Sequence, residues 1–225
     1  MTNQAILLIQ PEESSKEKLL VKKIKNKIFL HYQLSYLSDN LFKKVILVSS
    51  SSPISFYKSF FGEEYLGMEM IYINMEESSS QVELLMAAME YAFVFDAFKY
   101  FRINFSKADD FRRMRDAKIL LISSKASDIE PENDQLFLDE KGKIIDIKDA
   151  RSLESDCIFT NTWHIKKDYF IEHYKNSTSS IWDIWKNKYK TTPLYSLACR
   201  QYYIEINSLK DLEIAKYEFT EYYYQ

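Results

Sequence analysis

Beyond the apolar run Ala5–Ile9 the chain breaks into Gln10-Pro11-Glu12-Glu13-Ser14-Ser15. A loop at the end of a first buried strand is a common seat for phosphates, usually as a cradle of backbone N–H groups approached through glycines. This loop instead offers an amide and two hydroxyls, at Gln10, Ser14 and Ser15. It also carries Pro11, which has no N–H to donate, and two carboxylates. One carboxylate about 4 Å from a phosphate charge costs on the order of 4 kcal/mol at an effective dielectric near 20, roughly three decades of affinity. A second polar stretch holds Asp128, Glu130, Glu132 and Asp134, oxygens of the kind that hard dications accept. His164 and His173, with Cys157 upstream, fit no zinc spacing, so surface or packing roles are expected for them. No serine sits in an elbow motif that would make it a nucleophile. Arg112, Arg113, Arg115 and Lys118 interleave with Asp109, Asp110 and Asp116, as on a salt-bridged helix face.

The chain that must position these groups has 225 residues, 46% of them hydrophobic and 16% aromatic. It can bury roughly 70% of its unfolded surface and needs no staples. A formal net charge of -3 argues against bulk attraction to nucleic acid or acidic membranes. Cys157 and Cys199 are expected as free thiols in a reducing compartment. The first residues show neither a basic start nor a cleavage site, so no signal peptide is expected and the location is expected to be cytoplasmic. Residues 82–101, VELLMAAMEYAFVFDAFKYF, contain Glu83, Glu90, Asp96 and Lys99. Central charges cost roughly 2.5–3.5 kcal/mol each on an insertion scale, so this segment is expected as a buried or interface-forming helix and not a membrane span. There are three glycines, Gly62, Gly67 and Gly142, against about 7% in an ordinary protein. That count nearly excludes any mechanism needing several glycines around a phosphate.

Short apolar runs alternate with helical patterns. Strands are expected at Ala5–Ile9, Lys44–Ser50, Met70–Asn74 and Lys118–Ile122, with helices at Phe29–Leu37, from Pro53 to Phe61 and from about Ser80. That rhythm argues for a parallel, doubly wound sheet. Leu136–Ile147 reads as a hairpin turning on Lys141-Gly142, Asp168–His173 and Ile181–Lys190 as helices, and Leu194–Leu197 and Tyr202–Ile206 as extended. Ser208 with Asp211 three residues on is a capping box for a closing helix.

In this order the segments resemble the short sugar-1-phosphate nucleotidyltransferases, nearest to the guanylyltransferases for heptose or mannose phosphates. QAILLI resembles that family's first strand, and KIKNKIFLHYQLSYLSDNLFKKVILVSS its path through the first helix into the second strand. FYKSFFGEEYLGMEMIYINMEESSSQVELLMAAME is similar to its next helix, strand and helix, LDEKGKIIDI to its hairpin, and PLYSLACRQYYIEINSLKDLEIAKYEF to its closing strand and helix. The resemblance implies a single Rossmann-like, GT-A type nucleotidyltransferase domain over 1–225, with a mostly parallel central sheet and helices on both faces. It also implies a degenerate site. Where the family has two glycines and Gly-Thr-Arg, this chain has Gln10–Ser15; the following lysine falls at Leu19, with Lys18 adjacent. The Leu-Gly-Thr-Gly turn on the base corresponds to Ser78-Ser79-Ser80-Gln81. The strand-end Asn-Gly-Asp that binds Mg²⁺ is expected within KILLISSKASDI, with Ser123 and Ser124 in its slots and Asp128 as the ligand if the strand is displaced. The second metal aspartate corresponds to Glu205. The sugar-phosphate Glu-Lys pair matches Asp149-Ala150, leaving Lys148 as the nearest cation. A helix and strand of the family after the metal aspartate are expected to be missing here, and residues 102–117 are expected to form a polar insertion.

The resemblance therefore names Lys18 and Glu205 as catalytic candidates, Gln10, Ser14, Ser15, Ser79 and Gln81 as nucleotide contacts, and Glu205 and Asp128 as metal ligands. Losing the glycine cradle, a metal carboxylate and the sugar-phosphate lysine removes three independent supports of Mg²⁺-assisted transfer. The expectation is a catalytically inactive, nucleotidyltransferase-like protein with no cofactor. It would be a partner or regulatory subunit in bacterial nucleotide-sugar or surface-polysaccharide metabolism, as a homodimer or with a catalytic nucleotidyltransferase. Its docking surfaces would be the helix 82–101, the insertion 102–117 and the aromatic tail TEYYYQ. The alternative is an active Mg²⁺-dependent enzyme with a rebuilt site.

Overall fold

The computed structural model describes residues 2–9, 18–24, 26–49, 54–74, 90–125, 134–148, 157–174, 181–199 and 203–221. The chain opens with β1 (Gln4–Ile9), a small hairpin of β2 (Lys23–Ile24) and β3 (Lys27–Ile28), and helix α1 (Phe29–Asp39). β4 (Lys44–Ser49), α2 (Ile54–Phe61), β5 (Glu64–Tyr65) and β6 (Met68–Asn74) follow. Next come β7 (Tyr91–Asp96), β8 (Lys99–Phe101), α3 (Phe105–Met114), β9 (Ile119–Lys125) and the hairpin β10 (Gln135–Leu138) and β11 (Ile144–Lys148). β12 (Cys157–Lys166), α4 (Lys167–Tyr174), α5 (Ile181–Lys188), β13 (Tyr195–Cys199), β14 (Tyr203–Glu205) and α6 (Leu209–Glu221) complete it.

Every residue of β1 is buried, as expected of a strand covered on both faces. Its side chains alternate: Ala5, Leu7 and Ile9 enter one core with α1, and Ile6 and Leu8 enter the other with Trp163 and Trp185. β6, β4, β1 and β7 lie side by side and parallel. β12 then runs antiparallel between β7 and β9, and β13 pairs parallel with β9. The central sheet is therefore largely parallel, with β12 reversed at its centre and β11 and β5 reversed at its two ends. At the closing helix, Ser208 Oγ accepts from the Asp211 N–H at 3.3 Å while Asp211 Oδ2 reaches back to the Asn207 N–H at 3.0 Å, so Ser208 and Asp211 cap the helix as expected, the acid reaching one residue beyond the cap.

Two expectations change. Residues 91–101 are strands β7 and β8, not the end of a long helix, while 80–89 lie outside the described residues. YAFVFD is an apolar, aromatic run buried beside β1, and such a run cannot be told from a buried helix by periodicity. Within the expected insertion at 102–117, residues 105–114 form helix α3. Asn104 caps α3 by accepting from the Lys107 N–H at 2.8 Å, and Phe105, Ala108, Asp109 and Arg112 are buried. The stretch between β9 and the β10–β11 hairpin, where a helix and strand were expected to be missing or cut short, lies largely outside the described residues. Finally, β12 was not expected as a strand. Asn161 interrupts it with φ +56° at an irregularity between Phe159 and Thr162, a conformation asparagine tolerates better than most residues.

The basic cluster is salt-bridged as expected. Arg113 donates to Asp109 at 3.1 Å and to Asp110 at 3.2 Å, and Lys118 to Asp116 at 2.6 Å. Cys157 and Cys199 are free thiols. No helix among the described residues is long and apolar enough to cross a membrane.

Candidate functional site

In an open α/β sheet, ligands bind beyond the carboxyl ends of the strands, at the point where strand order reverses. Here the chain steps from β1 to β4 and β6 on one side, then returns to place β7 on the other. The switch point thus lies between the ends of β1 and β7. Leu8 is in register with Asp96, and the Ala97 N–H donates to the Leu8 carbonyl at 2.9 Å. Asp96 is the last residue of β7 and faces this edge of the fold.

Asp96 is held by the turn that follows it, because its Oδ1 accepts from the Phe98 N–H at 2.9 Å. The turn leads into β8, whose Lys99 is the cross-strand partner of Glu205 on β14. A further backbone bond, Ile206 N–H to Phe98 carbonyl at 2.8 Å, extends this ribbon. Gln33 of α1 fixes it from below by donating to the Lys99 carbonyl at 2.7 Å. The side chain of Lys99 is only 3% exposed, and its Nζ lies 3.6 Å from Glu205 Oε2 and 3.9 Å from Asp96 Oδ2. The carboxylates themselves are about a quarter exposed. One buried ammonium thus faces two carboxylates from two different strands. Behind it a water-sized cavity of about 20 Å³ is bounded by Leu7, Gln33, Tyr36 and Phe95.

The residues expected at a site are distributed as follows. Glu205 is at this edge, and Lys18 is exposed on the helical turn 18–20. Gln10, Ser14, Ser15, Ser79, Gln81 and Asp128 lie outside the described residues, as do Asp149 and Ala150. Ser123 and Ser124 are not at the switch point: β9 is separated from β1 by β12 and β7, and Ser123 Oγ is buried 2.7 Å from Ser196 Oγ. The acidic residue at the end of the strand beside β1 is Asp96. Of the acidic stretch, Asp134 is described; it accepts from Trp182 Nε1 and from Lys186 Nζ. Lys148 is exposed and lies over the Phe137 ring. His164 is fully buried in packing, stacked on Phe93 at 4.1 Å.

Asp96 and Lys99 were missed by sequence reasoning. The signal was present in YAFVFDAFK: an acid closing a buried run, followed three residues later by a lysine.

Mg²⁺ is the metal that the sequence resemblance implies for a pair of acids at such an edge. Mg²⁺ requires near-octahedral oxygen ligands at about 2.0–2.1 Å. Here the two carboxylates face a cation that the chain itself supplies. A dication placed about 4 Å from that ammonium would be repelled by on the order of 8 kcal/mol at an effective dielectric near 20. Among the described residues, no group of three or more His, Cys, Asp or Glu side chains could hold a metal. With Lys99 in place, the set suits an ammonium and not Mg²⁺.

No protein-family model and no curated protein sequence matches the chain. Among solved structures, it is similar to HddC from Yersinia pseudotuberculosis, with 16% identity, coverage of 97% of this chain and 100% of that one, and a TM-score of 0.76. It is also similar to the inositol-1-phosphate CTP transferase from T. maritima, with 17% identity, 97% and 95% coverage and a TM-score of 0.73. A third is the UTP-bound UGPase from Acinetobacter baumannii, with 9% identity, 97% and 93% coverage and a TM-score of 0.75. At these identities the likeness establishes architecture, and the chain has the Rossmann-like, GT-A type nucleotidyltransferase fold, a mostly parallel sheet with helices on both faces.

Proposed function

We propose that this nucleotidyltransferase-fold protein does not carry out Mg²⁺-dependent nucleotidyl transfer. It serves instead as a partner or regulatory subunit in bacterial nucleotide-sugar or surface-polysaccharide metabolism. It works in the cytoplasm as a homodimer or beside a catalytic nucleotidyltransferase. The observation that carries the reading is the buried Lys99 ammonium facing Asp96 and Glu205 at the switch point. Nucleotidyl transfer needs a metal to neutralise phosphate charge as the attacking group moves in line, and these carboxylates already have their counter-cation.

The glycines support the same reading. Gly62, Gly67 and Gly142 all have φ near +70°, each beside a short strand or in a hairpin. None falls in the sequence that follows β1, which carries Pro11, Glu12 and Glu13 instead.

The alternative, an active sugar-1-phosphate nucleotidyltransferase, draws on one observation. With Asp96 at the strand end beside β1, both carboxylates of a metal site exist, and Lys18 is available as a phosphate cation. That reading requires Lys99 to leave when substrate enters. A pyrophosphate-release assay with each nucleoside triphosphate, Mg²⁺ and a panel of sugar 1-phosphates separates the two. The proposal expects release equal to the buffer blank. Turnover abolished by Glu205→Gln or Asp96→Asn would replace it with the alternative. The positive arm is co-purification from the native cell, expected to retain a catalytic nucleotidyltransferase or a second copy of the chain.

A further inference from the structure

Lys99 is placed with more care than a surface ion pair needs. Its backbone carbonyl is held by Gln33, its strand is paired to β14 with Glu205 directly opposite, and Asp96 is oriented by the Phe98 N–H. Nearly all of its side chain is buried. A buried ammonium persists only where counter-charges meet it, and both counter-charges here are carboxylates at one carboxyl edge of the sheet.

The ion-pair distances, 3.6 and 3.9 Å, exceed Mg²⁺–oxygen bond lengths by roughly 1.5–2 Å. Closing that difference takes a shift of that size in two side chains that are each about a quarter exposed, with Asp96 Oδ1 keeping its bond to the Phe98 N–H. Water from the exposed side can complete a coordination shell, since Mg²⁺ and Mn²⁺ commonly keep several waters and take only one or two carboxylates.

We propose that Lys99 is a tethered internal cation that masks a latent divalent-cation site formed by Asp96 and Glu205. The inference rests on the reading of this edge as no longer metal-dependent, and it adds what enforces that state. The lysine satisfies the two carboxylates and joins the β8–β14 ribbon to the end of β7. It also repels any dication that approaches the pair. The ligand class of the unmasked site is a hard divalent metal ion with oxygen preference.

The test is Mn²⁺ binding to the full-length chain, followed by loss of the free-ion electron paramagnetic resonance signal and without any nucleotide. The wild-type chain is expected to leave the Mn²⁺ signal at its buffer value. Lys99→Ala and Lys99→Gln are each expected to bind Mn²⁺ at least about a hundredfold more tightly, because a unit charge near a dication is worth several decades at a protein-like dielectric. Adding Glu205→Gln to either variant is expected to abolish the gain. The glutamine variant keeps most of the side chain's length and a hydrogen-bonding end without the charge, so it serves if the alanine variant does not fold. Wild-type binding that Glu205→Gln removes would overturn the inference, as would two folded Lys99 variants that gain nothing. Turnover is not read in this experiment. Pyrophosphate release by a chain that excludes Mn²⁺ on its own would therefore overturn the functional proposal alone.

Discussion

His164 gives the fold a dependence on pH whose size follows from its burial. The ring is fully buried in β12 and stacks on Phe93 at 4.1 Å and 12°. Its Nε2 is 2.8 Å from Thr2 Oγ1, while Nδ1 has no partner among the described residues. Desolvation is the largest influence, and the positive charge of Arg112 adds to it, holding the imidazole down at about 3 despite the attraction of Asp109 at 3.9 Å. The unfolded chain takes up the proton at about 6.5. Above that pH neither state is charged at this ring. As pH falls below it, the unfolded state binds a proton that the folded state refuses until about 3. Stability is therefore lost on acidification across that window, at close to 1.4 kcal/mol per pH unit once the pH is well below 6.5. Between pH 7 and pH 5 the loss from this one group is about 2 kcal/mol. Urea unfolding followed by fluorescence of Trp163 and Trp185, which pack edge-to-face at 5.7 Å, measures it at pH 7, 6 and 5. His164→Gln keeps a polar group for Thr2 and cannot titrate. It is expected to cost roughly 1–3 kcal/mol at pH 7, but its further loss on going to pH 5 should be smaller than wild type's by about 2 kcal/mol. Identical pH dependence in the two chains, with unchanged m-values, would refute the reasoning.

Other expectations follow from single positions. A Cβ added at Gly142, where φ is +76°, would lie 2.8 Å from the Phe111 ring and 3.0 Å from the Ser196 carbonyl; Gly142→Ala should destabilise by about 1–3 kcal/mol in the same unfolding assay. Leu66 and Gly67 form the two-residue turn between β5 and β6 with φ of +52° and +74°, a geometry that prefers Asn-Gly, so Leu66→Asn should raise stability by about 0.4–1 kcal/mol. Asn104→Ala removes the side chain that caps α3 and should cost about 0.5–2 kcal/mol by chemical denaturation.

Where sequence periodicity and burial agreed, the elements were legible. β1, β4 and β6 are short apolar runs of strand length, and the α1 pattern of Phe29, Leu30, Leu34 and Leu37 marks one buried helical face. The hairpin at Lys141-Gly142 and the Ser208–Asp211 cap were announced by local chemistry. What failed were elements whose identity depends on spatial neighbours. YAFVFD looks helical when joined to the apolar residues before it, and becomes a strand because β1 offers its free edge. CIFTNTWHIK was hidden by Asn161, whose left-handed backbone interrupts the ladder without ending it. Because YAFVFD reads as helix in sequence, the strand-end acid beside β1, Asp96, has no strand to mark it, and the next strand end falls at Ser123 and Ser124. Glu205, within YYIEIN before a capped helix, lies at the switch-point edge opposite Lys99. The role of Lys99 arises from three strands meeting and has no linear signature beyond its distance from Asp96.

The most direct test of the account is a crystal structure of the wild-type chain grown with Mn²⁺ and a nucleoside triphosphate, using anomalous scattering to locate the metal. The account predicts Lys99 Nζ between Asp96 and Glu205, with no anomalous peak within bonding distance of either carboxylate. A manganese ion bound to both carboxylates, with Lys99 turned away and triphosphate ordered against it, would contradict it.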